Sequence, residues 1–322
     1  MFIEVIILRK KIVIFGGGTG LSFLVRDLKN FPVDITCIIS VADDGASTGK
    51  LRKEFFMPAM GDIRKVISNL SNSDSKIKEL LEYRFDTYTD LNGHPVGNLI
   101  MVAMYNMTGN LKESIKVLSN FLDVSHKILP FSEDYLTLVA ETIDGDIIRG
   151  QKVISDDMRS YKRLFYENEV HVDKEIISEI LGADLIIFSM GSLYTSIIPN
   201  LLSSQVIKAI DDSKAKLLYI CNAVNQPPET TDYTVSDYVC SINSYLGKRK
   251  IDSVFAARSK LPKDIVDKYV LDENKKLVKI DKKKLKELNC ELIEKDFLVI
   301  EDNCIRHDGL KLATNIFYYL MR

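Results

Sequence analysis

Apolar positions along the chain fall into short β-branched runs and stretches of helical spacing, separated by glycine or polar turns. Residues 11–15 (KIVIF) form a strand-like run that meets Gly16, Gly17 and Gly18, and LSFLVRDLKN then has the spacing of an amphipathic helix. Residues 33–41 (VDITCIISV) form a second run ending at Ala42-Asp43-Asp44-Gly45. Two apolar strands around one helix predict a parallel crossover. Helical spacing continues over 61–70, 75–83, 98–107 and 111–122, with Met101, Met104 and Met107 on one stripe read as core packing. Residues 136–148 alternate as strand, Asp144-Gly145 turn and strand, which predicts an antiparallel hairpin appended to the parallel sheet.

The parallel pattern resumes with the buried-type run 184–188, a helix over 199–210, a strand over 216–221 and a helix over 235–245. Beyond residue 251 a strand (IDSVFAA), a charged helix (KKKLKEL), a final strand (DFLVI) and an apolar-faced closing helix are expected. Together these predict a single α/β domain over 1–322. Its Rossmann-like, mostly parallel sheet carries helices on both faces, with a β-hairpin insertion at 136–150 and a less regular part at 251–322 closing the cleft. Residues 1–8 are expected to form an edge strand.

Composition narrows the function. The 322 residues carry 43 Lys plus Arg against 45 Asp plus Glu, a net charge of -2 that gives no support to nucleic-acid binding. Five scattered cysteines form no C-x-x-C pair, which fits a reducing compartment. The apolar opening is interrupted by Glu4 and by Arg9 to Lys11, so neither a spanning helix nor a cleaved leader is expected, and a cytoplasmic location follows. The four histidines lack metal-ligand spacing, and the Lys282 to Lys286 run reads as a solvated helix face.

In a doubly wound sheet, ligands lie beyond the carboxyl ends of the strands, and the unusual loops fall at such ends. Gly16, Gly17, Gly18 and Thr19 let backbone N–H groups and a helix start approach an anion, phosphate or diphosphate, with a purely structural tight turn as the other reading. Leu21 stands where the dinucleotide fingerprint has its last glycine, and no Gly-Lys-Ser/Thr follows as in a Walker loop. Asp43 and Asp44 suit Mg²⁺ or its water shell, sugar hydroxyls, or capping of their own turn. Asp62 opens a helix, and Gly191, Ser192 and Thr195 form a second glycine-hydroxyl turn, chemically a second anion cradle. Asn222 and Gln226 offer amides to a base edge or sugar, His94 is a candidate phosphate neighbour beside a structural or surface reading, and Arg306 is a further candidate cation at the last helix, with a surface cap as its other reading. No nucleophile motif is visible, leaving a nucleotide-sugar-binding regulator or a transferase relying on Mg²⁺ and positioned phosphates.

Seven motifs carry a resemblance: GGGTGLS from Gly16, VADDGASTGKLR from Val41, GDIRK from Gly61, HPVGNL from His94 (which includes Asn98), GSLYTSIIPNLL from Gly191, CNAVNQPPETTDY from Cys221 and RHD from Arg306. In this order the chain resembles the YvcK-type gluconeogenesis factors within the CofD-like family. Ala46, Met57 to Met60, Met190 and the Asn225 to Glu229 stretch depart from the commoner wording. The resemblance implies a cytoplasmic factor that binds a UDP-sugar such as UDP-N-acetylglucosamine and supports gluconeogenic growth and cell shape or envelope synthesis. It places Asp44 and Asp62 near the phosphates, as metal ligands if Mg²⁺ is bound, and Tyr269 and Arg306 at the nucleotide-sugar. The related CofD enzymes, Mg²⁺-dependent transferases using a nucleotide-diphosphate-linked donor, give the alternative reading. NAD is a further candidate ligand. An envelope or carbon-metabolism protein partner and a homodimer complete the expectations.

Overall fold

The computed structural model describes residues 9–258, 261–301 and 304–322, except the side chains of residues 268, 269, 272 and 273. The expected edge strand at 1–8 lies outside the described residues. In chain order the strands are β1 (Lys10–Gly16), β2 (Val33–Ile39), β3 (Lys127–Pro130), β4 (Leu138–Thr142), β5 (Ile147–Arg149), β6 (Tyr161–Tyr166), β7 (Leu185–Phe188), β8 (Lys216–Ile220), β9 (Ser253–Ala257), β10 (Glu291–Lys295), β11 (Leu298–Glu301) and β12 (Cys304–His307).

Seven of them form one parallel sheet in the order β10-β9-β8-β7-β1-β2-β3. Its central strands are apolar on both faces, as a sheet covered twice requires: residues 12–15 and 185–188 are all buried. The chain runs outward from β1 through β2 to β3, then crosses back to β7 and runs the other way. The topological switch therefore lies between β1 and β7. Right-handed crossovers in opposite directions place helices on opposite faces. Gly18–Leu28 packs with Gly61–Leu70 and Gly309–Leu320, and Lys174–Leu181 packs with Ser204–Asp212.

The predicted hairpin forms, with Gly145 in the left-handed region at its turn. It is not appended to the parallel sheet: β4 pairs with β5 and β6 in a separate three-stranded antiparallel sheet, order β5-β4-β6. The expected helix over 199–210 is broken. A π turn at Leu193–Ile197 passes into a 3-10 turn at Ile198–Leu201 with Pro199 in its first turn, and Ser204–Asp212 follows as a separate helix. Of the methionine stripe only Met101 enters the core; Met107 is exposed. The C-terminal part adds two parallel strands, β9 and β10, and a hairpin of β11 and β12. Among the described residues no helix is long and apolar enough to cross a membrane.

Candidate functional site

In the β1–β7 register Phe15 faces Phe188, so the two glycine turns leave the sheet at one level, side by side. Gly17 is the N-cap of the helix Gly18–Leu28, and no side chain caps it, so the first-turn amides keep their donors for another partner. Gly18 sits at φ +43°, in the left-handed region. The surroundings leave no room for side chains. A Cβ on Gly17 would lie 2.8 Å from Asp62 Oδ2 and 3.2 Å from Ser196 Cβ, and one on Gly20 would strike the Met190 carbonyl. The glycine loop, the turn after β7 and the start of the helix Gly61–Leu70 thus share one space.

Asp62 projects from that helix over Gly17 and Gly18, with Lys65 Nζ at 3.4 Å from its Oδ1. Asp43 accepts from Gly45 N–H at 3.0 Å and from the Thr48 hydroxyl, and burial together with the charge of Asp62 raises its pKa. Asp43 and Asp62 therefore form the acidic pair beside the loop. Asp44 turns away: its oxygens accept from the N–H groups of Gln151 and Lys152 at 3.1 and 2.7 Å, capping the helix Gln151–Asp156. Below them, Ser47 Oγ lies 2.8 Å from His94 Nδ1 and accepts from Asn98 Nδ2 at 3.0 Å. His94 is buried, and desolvation, aided by Lys50, lowers its pKa, so its ring is neutral near pH 7. His94 and Asn98 support the Asp43 loop from beneath.

Gly191 exchanges two hydrogen bonds with the Asn222 side chain, tying the ends of β7 and β8. The hydroxyls of Ser192 and Thr195 bond each other, and Ser192 also donates to Glu229 at 2.6 Å. Glu229 Oε1 accepts from Tyr194 N–H at 2.7 Å, and the Thr195 amide adds a further bond. Burial raises the Glu229 pKa against these stabilising donors. The second cradle is therefore filled by a carboxyl group of this chain. Ser196, not Ser192, is the member of this turn lying against Gly17.

The remaining candidates lie on other elements. Gln226 follows β8, and Arg306 pairs with Val299 in the last hairpin. Next to Arg306, His307 is fully buried against the backbone of Cys221, and burial lowers its pKa to about 4. The side chain of Tyr269, on the helix Lys263–Glu273, lies outside the described residues. Asn98 Oδ1, Asn200 Oδ1, Gln226 Oε1 and Arg306 Nε are buried without a hydrogen-bond partner among the described residues. Buried polar atoms normally have one; Ser40, Arg52, Arg64, Ser119 and Tyr219 carry five further such atoms.

Ser196 ends the Gly191 to Ser196 turn read from the sequence as the second anion cradle, whereas Thr48, Lys65, Asn200 and Glu229 are not singled out individually there. Lys65 was legible as the i+3 neighbour of Asp62 on one helix. Glu229 was not, because its partner Ser192 is 37 residues away. For a divalent cation, no group of three or more His, Cys, Asp or Glu with ligand geometry occurs among the described residues. Asp43 and Asp62 alone fit Mg²⁺, which takes one or two carboxylates plus phosphate oxygens and water. The cation would offset their mutual repulsion and supply charge neutralisation at phosphate.

A parallel sheet with an uncapped glycine turn and an acidic pair at its switch point defines a Rossmann-like α/β protein. The family model described as 2-phospho-L-lactate transferase CofD matches residues 12–298, and the chain belongs to that CofD family. It is 41% identical over 308 residues to the gluconeogenesis factor of Bacillus subtilis strain 168, covering 95% of this chain and 96% of that one. The gluconeogenesis factor of Listeria innocua is 36% identical over 306 residues, covering 95% and 94%. A crystal structure of a UPF0052-family protein from Bacillus halodurans superposes with a TM-score of 0.92 at 38% identity, covering 96% of this chain and 99% of that one.

Proposed function

We propose that the chain is a nucleotide-sugar-binding regulatory factor. Its ligand is of the UDP-N-acetylglucosamine type, and it supports gluconeogenic growth and cell shape or envelope homeostasis. The observation that carries this reading is the packing of the uncapped Gly16–Gly20 turn against Ser196 and Asp62 at the switch between β1 and β7. In this reading the turn's amides hold the diphosphate, Asp43 and Asp62 hold Mg²⁺ on it, and Gln226 and Arg306 meet the remainder of the ligand. The names of the Bacillus and Listeria relatives support the gluconeogenic role. An envelope or carbon-metabolism protein, or a second copy of the chain, would read the occupied state, which is made in the cytoplasm where nucleotide sugars are found.

The test is incubation of the purified protein with UDP-N-acetylglucosamine and Mg²⁺, with calorimetry for binding and nucleotide chromatography for turnover. Saturable binding with unchanged nucleotide is the expected result. Binding of NAD in preference to the UDP-sugar would overturn the ligand assignment. Restoration of growth on a gluconeogenic carbon source, in a Bacillus subtilis strain lacking its own factor, tests the physiological half.

The acidic pair and the CofD family description favour one second reading, a Mg²⁺-dependent transferase acting on a nucleotide-diphosphate-linked donor. There Asp43 and Asp62 would hold the metal that offsets charge on the transferring phosphate. Release of free nucleotide over many turnovers in the same incubation would establish it.

A further inference from the structure

Beside Glu229 lies a cavity of about 300 Å³, walled chiefly by Tyr161, Tyr194, Tyr233, Arg159 and Met158. A cleft of about 410 Å³ shares Met158, Pro228 and Thr231 with it. We propose that this cavity is the subsite for the sugar of the nucleotide sugar, an inference that rests on the ligand reading above and adds to it where the sugar sits and which residues select it.

Position comes first. Tyr194 is two residues from Ser196, which packs against Gly17, so one helical turn carries the phosphate-loop contact on one side and the cavity wall on the other. Tyr194 and Glu229 belong both to the second cradle and to the cavity, which makes the two spaces neighbours. Its volume is at the lower end of the roughly 300–1,000 Å³ of small-molecule sites, in keeping with one part of a ligand.

The chemistry of the walls matches a hexose, whose ring has apolar C–H faces and a rim of hydroxyls. The Tyr161 and Tyr194 rings meet edge to face at 5.6 Å. Their hydroxyls are already engaged: Tyr161 donates to the Ile154 carbonyl at 2.5 Å, and Tyr194 bonds the Tyr233 hydroxyl at 2.8 Å. What these side chains offer a ligand is ring surface. A carboxylate has about four acceptor sites, and the Ser192 hydroxyl with the Tyr194 and Thr195 amides supplies Glu229 with three donors. That leaves capacity for a sugar hydroxyl. Arg159 binds Asp157 and Asp146 through Nε, Nη1 and Nη2, and of its five N–H groups two are left for an acceptor such as a hydroxyl or an amide carbonyl.

The small antiparallel sheet thereby acquires a purpose that the parallel core does not require. Met158, Arg159 and Tyr161 come from its β6 strand and the approach to it, and they close the cavity from the side opposite the 225–233 loop.

The full-length chain is titrated calorimetrically with UDP and with UDP-N-acetylglucosamine, unaltered and as Met158→Trp and Arg159→Ala. Met158 lines the cavity and is 87% exposed, so an indole there narrows the cavity mouth without entering the core. The unaltered protein is expected to bind the sugar nucleotide more tightly than UDP. Each substitution is expected to weaken the sugar nucleotide about tenfold, toward the affinity for UDP, while UDP itself changes less than about twofold. Loss of affinity for both ligands alike, or for neither, would overturn the subsite and leave the nucleotide reading standing. Failure of the unaltered protein to bind either ligand would instead overturn the nucleotide reading, and the subsite with it.

Discussion

Asn222 and Gly191 are joined reciprocally: Gly191 N–H donates to Asn222 Oδ1 at 2.9 Å, and Asn222 Nδ2 donates to the Gly191 carbonyl at 2.8 Å. A side-chain amide here replaces the backbone pairing that β7 and β8 lose where their loops diverge. Asn222→Ala removes both bonds and leaves the Gly191 N–H and carbonyl at a crowded strand end to be satisfied by water, a loss of about 1–3 kcal/mol. Urea unfolding should show that loss with an unchanged slope. Nucleotide binding should weaken as well, because Ser196 is carried on the released turn. Full retention of both would mean that the turn is held elsewhere.

The glycines of the first loop should respond differently to alanine, according to what a new methyl group meets. At Gly20 it meets the Met190 carbonyl, which is backbone and cannot yield without moving the end of β7. At Gly16 it meets the Ser189 hydroxyl, which can rotate away. Gly20→Ala should therefore cost about 1–3 kcal/mol or more, and Gly16→Ala clearly less. Thermal unfolding of the two variants side by side checks the order.

The first loop was legible because its chemistry is local: three glycines between an apolar strand and an amphipathic helix can be read in any register. The parallel sheet was legible for the same reason, since residues 12–15 and 185–188 are apolar throughout. The helix Ala46–Phe55 leaves little trace in the sequence, because ASTGKLRKEF has little apolar periodicity and is held through Leu51 and the buried Arg52. Arg52 reaches the carbonyls of Ala42 and Leu136, a tertiary anchor that no local pattern announces. The same limit hid which acidic residue faces the loop. Asp43 and Asp44 are adjacent, and what separates them is a helix start 107 residues from Asp44. Strand β10, ELIEK, is only half-buried at the sheet edge, so its alternation is weak.

His307 should make stability depend on acid. Burial lowers its pKa to about 4, well below the ordinary imidazole value of about 6.5. The unfolded chain therefore binds the proton more readily, and stability is lost as pH falls from about 6.5 toward 4. The full effect is about 3 kcal/mol. His307→Gln, which keeps a donor for the Cys221 backbone, should flatten this part of the curve of unfolding free energy against pH. An unchanged curve would assign the acid sensitivity to other groups.

Asp43 works in the opposite direction. Burial and the nearby Asp62 raise its pKa above the ordinary carboxylate value, so the folded chain holds this proton more tightly than the unfolded one. Stability from this group is present at low pH and is lost as pH rises through the raised value, leaving a repulsion at pH 7. Asp43→Asn removes the repulsion, while its amide oxygen can still accept from Gly45 and Thr48. The melting temperature at pH 7 should therefore rise, and less gain should remain at pH 4. Mg²⁺ should raise the melting temperature of the unaltered protein by neutralising the same pair, since a ligand confined to the folded state stabilises it by mass action. In Asp43→Asn that response should shrink, and further when Asp62→Asn is added. Scanning calorimetry over a magnesium chloride series, with sodium chloride matched for ionic strength, separates the specific effect from screening. An equal Mg²⁺ response in all three proteins would remove Asp43 and Asp62 from metal binding and leave them as electrostatic strain alone.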